Sequence, residues 1–457
     1  KVVIRKGREN YLCLLNLEEA LAQMPGRPRQ AAALGLMARW AGATRDGDFT
    51  GASFPAWLLD LFGRGQTIGL ADRRGECIHA ACTHYNRCFV EKSIRGAKRA
   101  DIVVTNHALV MVQAAYGNKD DRRTPTRYVF DEGHHVFDAA DSAFSAYLSG
   151  REAAELRHWV RGAEDGRKGR ARGLKRRLGD LVAGDDDALA NIEEALEAAR
   201  ALPGQGWENR VSAAQPLGAG EIFFMHLRAA IYLRVNDPDS LYDLQCELYP
   251  APDEVVAAAR ELANALAALA APLTHLVKWL LKYLDDHADN LDSTQRARIE
   301  GAVRGLELRA SGPLGAWQIM LADLTSGARD GFVDWMQIDR LDGQDRDVGF
   351  ARHWLDPTIP FADSLLDKAH GVTVTSATLQ DYAGSKNALL KVRDGGDENI
   401  VIIPKPDVGK APHDGWQSAV ALTGAAHLNH AAMRVSFLSP FDYANQTRIL
   451  VVNDLDR

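Results

Sequence analysis

The sequence predicts an α/β fold in which a parallel sheet is interrupted by a long helical insertion. Three observations carry this. Short, β-branched apolar runs lie toward both ends of the chain and finish in polar residues. Between about 151 and 330 the composition turns to Ala, Leu, Arg and Glu with helical periodicity. The whole chain, 457 residues with 46% hydrophobic and 25% charged residues, has the balance of folded protein and room for several domains.

The strands come first in the argument. Asp101-Ile102-Val103-Val104-Thr105-Asn106-His107 holds a brief apolar run bounded by polar residues, and Arg127-Tyr128-Val129-Phe130-Asp131-Glu132 is a second that ends in two carboxylates. Gly371-Val372-Thr373-Val374-Thr375-Ser376-Ala377-Thr378-Leu379 is a third, ending in hydroxyl residues. Residues 400–403 and 448–454 supply two more. Runs apolar on both faces predict parallel strands covered by helices. Polar residues at their C-terminal ends are what an open α/β sheet presents to a ligand.

Residues 251–310 read as two or three long helices used for packing. Val255, Val256, Ala259, Leu262, Leu266 and Leu269 follow helical spacing, Pro272 restricts continuation, and residues 276–284 resume the stripe. No apolar run reaches the roughly 18–20 uncharged residues of a membrane helix. The nearest, residues 257–281, is broken by Arg260, Glu261, Asn264 and Lys278. The start, Lys1-Val2-Val3-Ile4-Arg5-Lys6, is too short in apolar residues for a signal peptide, and its first residue suggests that the true N-terminus is missing.

A net charge of −7 argues against a wholly basic nucleic-acid coat protein, but leaves room for local basic tracks. Five cysteines in this length are no disulfide scaffold, and a cytoplasmic protein fits best. Cys77, Cys82 and Cys88 fall within twelve residues, and Cys13 would complete a set of four. Four thiolates suit a tetrahedral zinc or a four-iron cluster. Structural zinc more often uses two tight Cys pairs, so this spacing favours iron–sulfur. His79 and His84 as substitute ligands keep zinc open, and Cys246 reads as a small core residue.

Asp131-Glu132-Gly133-His134 closes a strand. In nucleotide hydrolases an Asp at such a place holds Mg²⁺ through water, and a Glu orients and deprotonates the attacking water. With the cysteine spacing and the hydroxyl-rich strand, this box carries a resemblance. The chain resembles the iron–sulfur superfamily 2 DNA helicases, the XPD/DinG group, and most of all bacterial DinG-like members. The matching pieces run in the family's order: Lys6-Gly7-Arg8-Glu9-Asn10-Tyr11-Leu12-Cys13, the Cys77/Cys82/Cys88 triplet, Val104-Thr105-Asn106-His107-Ala108-Leu109, Asp131-Glu132-Gly133-His134, Val374-Thr375-Ser376-Ala377-Thr378-Leu379 and Ser439-Pro440-Phe441-Asp442-Tyr443.

The resemblance implies a RecA-like (P-loop NTPase) parallel-sheet motor domain with an inserted iron–sulfur module and an inserted helical arch. By position, residues 1–12, 90–150 and 346–440 match the first motor domain, 13–89 the cluster module, 151–345 the arch and 441–457 the start of a second motor domain. It implies a 4Fe–4S cluster on Cys13, Cys77, Cys82 and Cys88, with ATP as substrate. Asp131 with its Mg²⁺ and Glu132 would do the hydrolysis. His134 would link them to the coupling residues Ser376, Ala377 and Thr378. Gly133 stands where Ala is the more familiar residue, and either is expected to fit.

Two departures stand out. No Gly-x4-Gly-Lys-Ser/Thr phosphate loop occurs, the single Gly-Lys (Gly409-Lys410) being followed by Ala411. The second motor domain would scarcely begin before residue 457. The chain therefore reads as an internal fragment that by itself is expected to hydrolyse ATP poorly.

Lys92, Arg95, Lys98 and Arg99 follow the last cluster cysteine at helical spacing and are candidate contacts to DNA phosphates, single-stranded or forked. Residues 167–177, with seven basic residues in eleven, read as a mobile loop that sweeps phosphates or stays solvated. Phe54, Trp57, Tyr85 and Phe89 either stack bases or pack the small module. A metal-stabilised DNA-binding scaffold without motor activity, and a nuclease on the same frame, are the alternatives.

Overall fold

A computed structural model describes residues 1–23, 31–72, 76–117, 125–164, 172–310, 312–379, 389–394, 397–402, 415–437 and 440–448. Gly409-Lys410, Ser439 and all but the first residue of the expected strand 448–454 lie outside the described residues.

The described strands run in order β1 (Val2–Ile4), β2 (Ile102–Val104), β3 (Arg127–Asp131), β4 (Ala146–Ser149), β5 (Leu244–Glu247), β6 (Phe332–Leu341), β7 (Gln344–Trp354), β8 (Gly371–Thr375), β9 (Leu389–Asp394) and β10 (Asp397–Ile402). β1 pairs with β2 and β3 with β8, both in parallel. The three strands expected near 102, 127 and 371 are therefore present and parallel. The run near 400 departs from expectation, because β10 pairs antiparallel with β9.

Among the described residues the parallel pairs do not have cover on both faces. In β3, Phe130 is buried while Val129 is 73% exposed, and Val2, Ile4, Ile102 and Val104 are exposed as well. The helices His107–Tyr116, Val136–Phe144 and Thr358–Ser364 pack one side of β3 and β8 through Met111, Val136, Ala140 and Phe361. A period of two then sends alternate apolar residues to the side that no described helix covers.

The middle of the chain is not helical throughout. β4, β7, β6 and β5 form a four-stranded antiparallel sheet in that order. Its inner face shares the largest core with the surrounding helices, a core that runs from Leu148 to Phe350. The boundary expected at 345/346 thus falls inside β7. Pro272 does not end a helix either, for Asp253–Asp286 is one helix of 34 residues. A buried proline removes one helical hydrogen bond at a cost of about 3 kcal/mol. Leu266, Leu269, Leu273, Leu276 and Leu280, each at most 1% exposed, offset that by packing on four neighbouring helices. This helix has the length and composition of a membrane span, but here it is the spine of the largest core.

A third core gathers Tyr11, Leu12, Leu34, Met37, Trp40, Phe49, Phe54, Leu58, Leu70 and Phe89 around the cysteine-bearing segment. Trp40 and Phe54 meet edge to face with ring centroids 4.8 Å apart.

Candidate functional site

The parallel register sets Asp131 opposite Thr375, so the residues after β3 and β8 emerge side by side at the C-terminal ends of adjacent strands. Glu132 takes a left-handed backbone conformation (φ 51°) and turns the chain into the short helix Gly133–His135. For a residue other than Gly this costs on the order of 1–3 kcal/mol, which the surrounding packing must offset. The turn brings His134 Nδ1 to 2.9 Å from Ser376 Oγ and 3.3 Å from Glu132 Oε2. Ser376 Oγ stands 3.5 Å from Glu132 Oε2 and 3.3 Å from Thr378 Oγ1, and it accepts a bond from the Thr378 amide. Ala377 is exposed and adds no polar group. The box and the hydroxyl strand are thus one hydrogen-bonded network, across a gap of 242 residues.

Asp131 is exposed at the strand end. His107 approaches its backbone, and burial holds the His107 imidazole below the usual histidine range. His107 opens the helix His107–Tyr116, whose N-cap Asn106 accepts from the Leu109 amide at 3.1 Å.

Gly133 corrects an expectation. A Cβ there would stand 2.1 Å from Val374 Cγ1, so Ala does not fit as the chain is packed. Val374 on β8 fills the space that a side chain would take. Gly133→Ala is expected to destabilise the fold by about 1–3 kcal/mol through overpacking. Adding Val374→Ala should recover most of that loss in urea unfolding, and additive losses would show the contact to be soft.

Cys13, Cys77, Cys82 and Cys88 line one recess, together with Asp72, His79, His84, Tyr85, Glu91 and Arg172. The Cys77 thiol lies near enough to add to the rise at Cys13, and the Cys88 thiol to those at Cys77 and Cys82. Local structure places them. The Cys13 amide bonds Leu70 O at 2.9 Å, Cys13 caps the helix Leu14–Ala22, and Cys88 caps Phe89–Ala97. Helix N-termini favour thiolates. Burial nevertheless pushes the Cys13 thiol up to about 12 and Cys77 to about 11, Asp72 adding to both, and burial raises Cys82. Arg8 opposes the rise at Cys77, and Arg172 at Cys13 and Cys82.

Thiols gathered in one recess are soft donors that a metal would ionise, since its charge replaces the lost protons. Around a single zinc the sulfurs would lie about 3.8 Å apart. Among the described residues, no group of three or more His, Cys, Asp or Glu is set to hold a metal ion. In a four-iron cluster each thiolate holds a different iron, so a wider set is needed. Four sulfur donors are chemically suited to either centre. Burial and the charges of Arg8 and Arg304 push His79 down to about 4, and His84 Nε2 pairs with Glu18 at 2.8 Å. Cys246 is half-buried on β5, against the largest core.

Lys92, Arg95, Lys98 and Arg99 are all exposed, the first two on the helix Phe89–Ala97 and the last two just beyond it. The Arg95 guanidinium lies 5.8 Å over the Tyr85 ring, and Lys92 Nζ donates to Arg45 O. Phe54 and Phe89 are core residues, Tyr85 is half-buried and Trp57 is 55% exposed. The basic tract is not a free loop where it is described, and residues 167–171 lie outside the described residues. Arg172 is 4% exposed and pairs with Glu19, as Arg176 does. Lys175 pairs with Glu193, and Arg177 stacks 4.0 Å over Trp159. The tract binds the helical insertion to the cysteine module. Its charge density alone could not say so, because its partners lie far away in sequence.

No family model matches the chain. It is 30% identical over 161 residues to the ATP-dependent DNA helicase YoaA of Haemophilus influenzae, a match covering 34% of this chain and 24% of that protein. It is 30% identical over 166 residues to YoaA of Escherichia coli K12 and over 162 residues to the ATP-dependent DNA helicase DinG of Photobacterium profundum. These cover 34% and 33% of the chain, and 24% and 23% of the relatives. Over a third of its length the chain is thus homologous to the DinG-like helicases, and the match spans about a quarter of their length.

Proposed function

We propose that this chain is part of an ATP-dependent DNA helicase of the iron–sulfur, DinG-like kind, working on the chromosome in the cytoplasm. The observation that carries this reading is the bonded joint between Glu132, His134 and Ser376 at the ends of two adjacent parallel strands. A sheet's C-terminal edge is where nucleotide-driven proteins place their chemistry. A joint between acid and hydroxyl segments is what lets the two move together.

In this reading residues 1–12, 90–150 and 346–440 build the first motor domain, 13–89 the cluster module, 151–345 the arch and 441–457 the start of the second motor domain. The Asp131 carboxylate would hold Mg²⁺ through water, and Glu132 would take the proton of the water that attacks the γ-phosphate of ATP. As Glu132 changes charge, His134 and Ser376 re-pair, and Thr378, in the turn after β8, carries the change toward bound DNA. A 4Fe–4S cluster on Cys13, Cys77, Cys82 and Cys88 would pin the module's loops to one another. The module then meets forked DNA as a wedge during 5′-to-3′ unwinding.

Lys92, Arg95, Lys98 and Arg99 would lead the single strand past the module. Lys92→Glu with Arg95→Glu should weaken binding of a fluorescent single strand at least tenfold, and flatten its salt dependence by about two phosphate contacts. Unchanged anisotropy titrations would move the strand path elsewhere. Strand separation and DNA-stimulated ATP hydrolysis by the protein that carries this chain test the function itself, and the absence of both would refute it.

A further inference from the structure

One residue of the cysteine recess comes from neither cysteine-bearing segment. Arg172 belongs to the helical insertion, yet it lines the recess beside all four thiols. It is 4% exposed, and its contacts point into the cysteine module. Its guanidinium forms an ion pair with Glu19 (3.0 Å to Oε2), donates from Nε to Glu19 Oε1 at 3.4 Å and donates to Asn16 Oδ1 at 3.1 Å, both residues on the helix that Cys13 caps. Its backbone amide donates to Glu76 Oε2 at 3.2 Å, one residue before Cys77. A second contact joins the same two bodies. Gly301 of the insertion lies so close to His79 that a Cβ would stand 2.4 Å from His79 Cδ2.

The charges explain why an arginine belongs there. The recess collects four thiols and the carboxylates of Asp72 and Glu91. Asp72 is paired to Arg8 at 2.5 Å. A cluster bound by four thiolates brings further negative charge, and a buried charge is tolerated only when compensated. Arg172 supplies compensation from the far side and keeps its planar fork on Glu19 and Asn16.

We propose that Arg172 is a positioning residue of the cysteine centre, closing the recess from the helical insertion so that filling the recess and docking the insertion stabilise each other. This rests on the reading of the four thiols as iron–sulfur ligands. Linkage makes the effect reciprocal: whatever the docked insertion adds to cluster retention, the cluster adds to docking.

The test uses the chain purified without oxygen, with iron and sulfide counted, and then stripped by an iron chelator. Hydrogen exchange in the helices Leu14–Ala22 and Leu174–Leu178 should be about tenfold slower in the iron-loaded protein than in the stripped one. Arg172→Ala should lose iron to the chelator about tenfold faster and abolish the exchange difference, with Arg172→Lys between the two. Glu19→Gln, which leaves Arg172 in place, should show the same trend more weakly, and it covers the case in which Arg172→Ala does not fold. Iron loss at the wild-type rate in Arg172→Ala, or exchange indifferent to iron in the wild type, would overturn the proposal while leaving the cluster intact. A wild-type chain that takes up no iron would overturn the cluster reading, and this inference with it.

Discussion

Glu132→Gln, introduced into the protein that carries this chain, is expected to lower DNA-stimulated ATP hydrolysis by about 10²–10⁴-fold, the usual worth of a positioned general base. Binding of single-stranded DNA should stay within about twofold, since the side chain is 61% exposed and buries nothing that holds the fold. The amide keeps the size and still accepts from Ser376, so the geometry of the joint survives while the proton acceptor is gone. His134→Ala makes the informative contrast. It removes the partner of Ser376 but not the base, so hydrolysis should persist and lose its stimulation by DNA. If Glu132→Gln turns over ATP at the wild-type rate, the acid box is not the site of hydrolysis. If His134→Ala behaves like Glu132→Gln, the imidazole belongs to the chemistry and not to coupling.

The second large effect concerns the thiols. Cys77→Ser together with Cys82→Ser should yield a chain without iron, colourless under anaerobic purification, with residues 13–89 open to proteases. The module has its own core, Leu34, Met37, Leu58 and Leu70 chief among its aliphatic residues. A single core in so short a module rarely supplies more than about 3–5 kcal/mol, so losing a metal would remove much of its stability. A loss of about 3 kcal/mol would lower the melting midpoint of a domain this size by roughly 10 °C or more. The helical insertion, with its own larger core, should keep its melting transition. A coloured double-serine chain would dismiss the four-thiol assignment, and a colourless wild type with one zinc per chain would replace the cluster by a single ion.

Much of the candidate site was legible without coordinates, for a physical reason. The acid box, Ser376-Ala377-Thr378 and the cysteine triplet are each local: one strand and its turn, or one loop, supplies the whole group. Strand patterning placed β2, β3 and β8 correctly because a β-branched run bounded by polar residues has few other solutions. The same patterning failed on pairing partners. Nothing within residues 400–403 distinguishes a parallel neighbour from the antiparallel β9, since pairing is settled by what lies beside a strand. Pro272 was misread because its local cost is plain in sequence while the leucine packing that offsets it is not.

What the sequence determined by itself is the inventory of chemistry: thiols at a spacing that suits a cluster, two acids closing a strand, and hydroxyls closing another. Tertiary structure alone decided how these groups meet. His134 reaches Ser376 only because β3 and β8 run side by side, Val374 excludes a side chain at Gly133, and Arg172 crosses from the insertion to the thiols. Such contacts join residues far apart in the chain, where neither propensity nor periodicity acts. They follow from the packing of whole cores, which only the folded chain expresses.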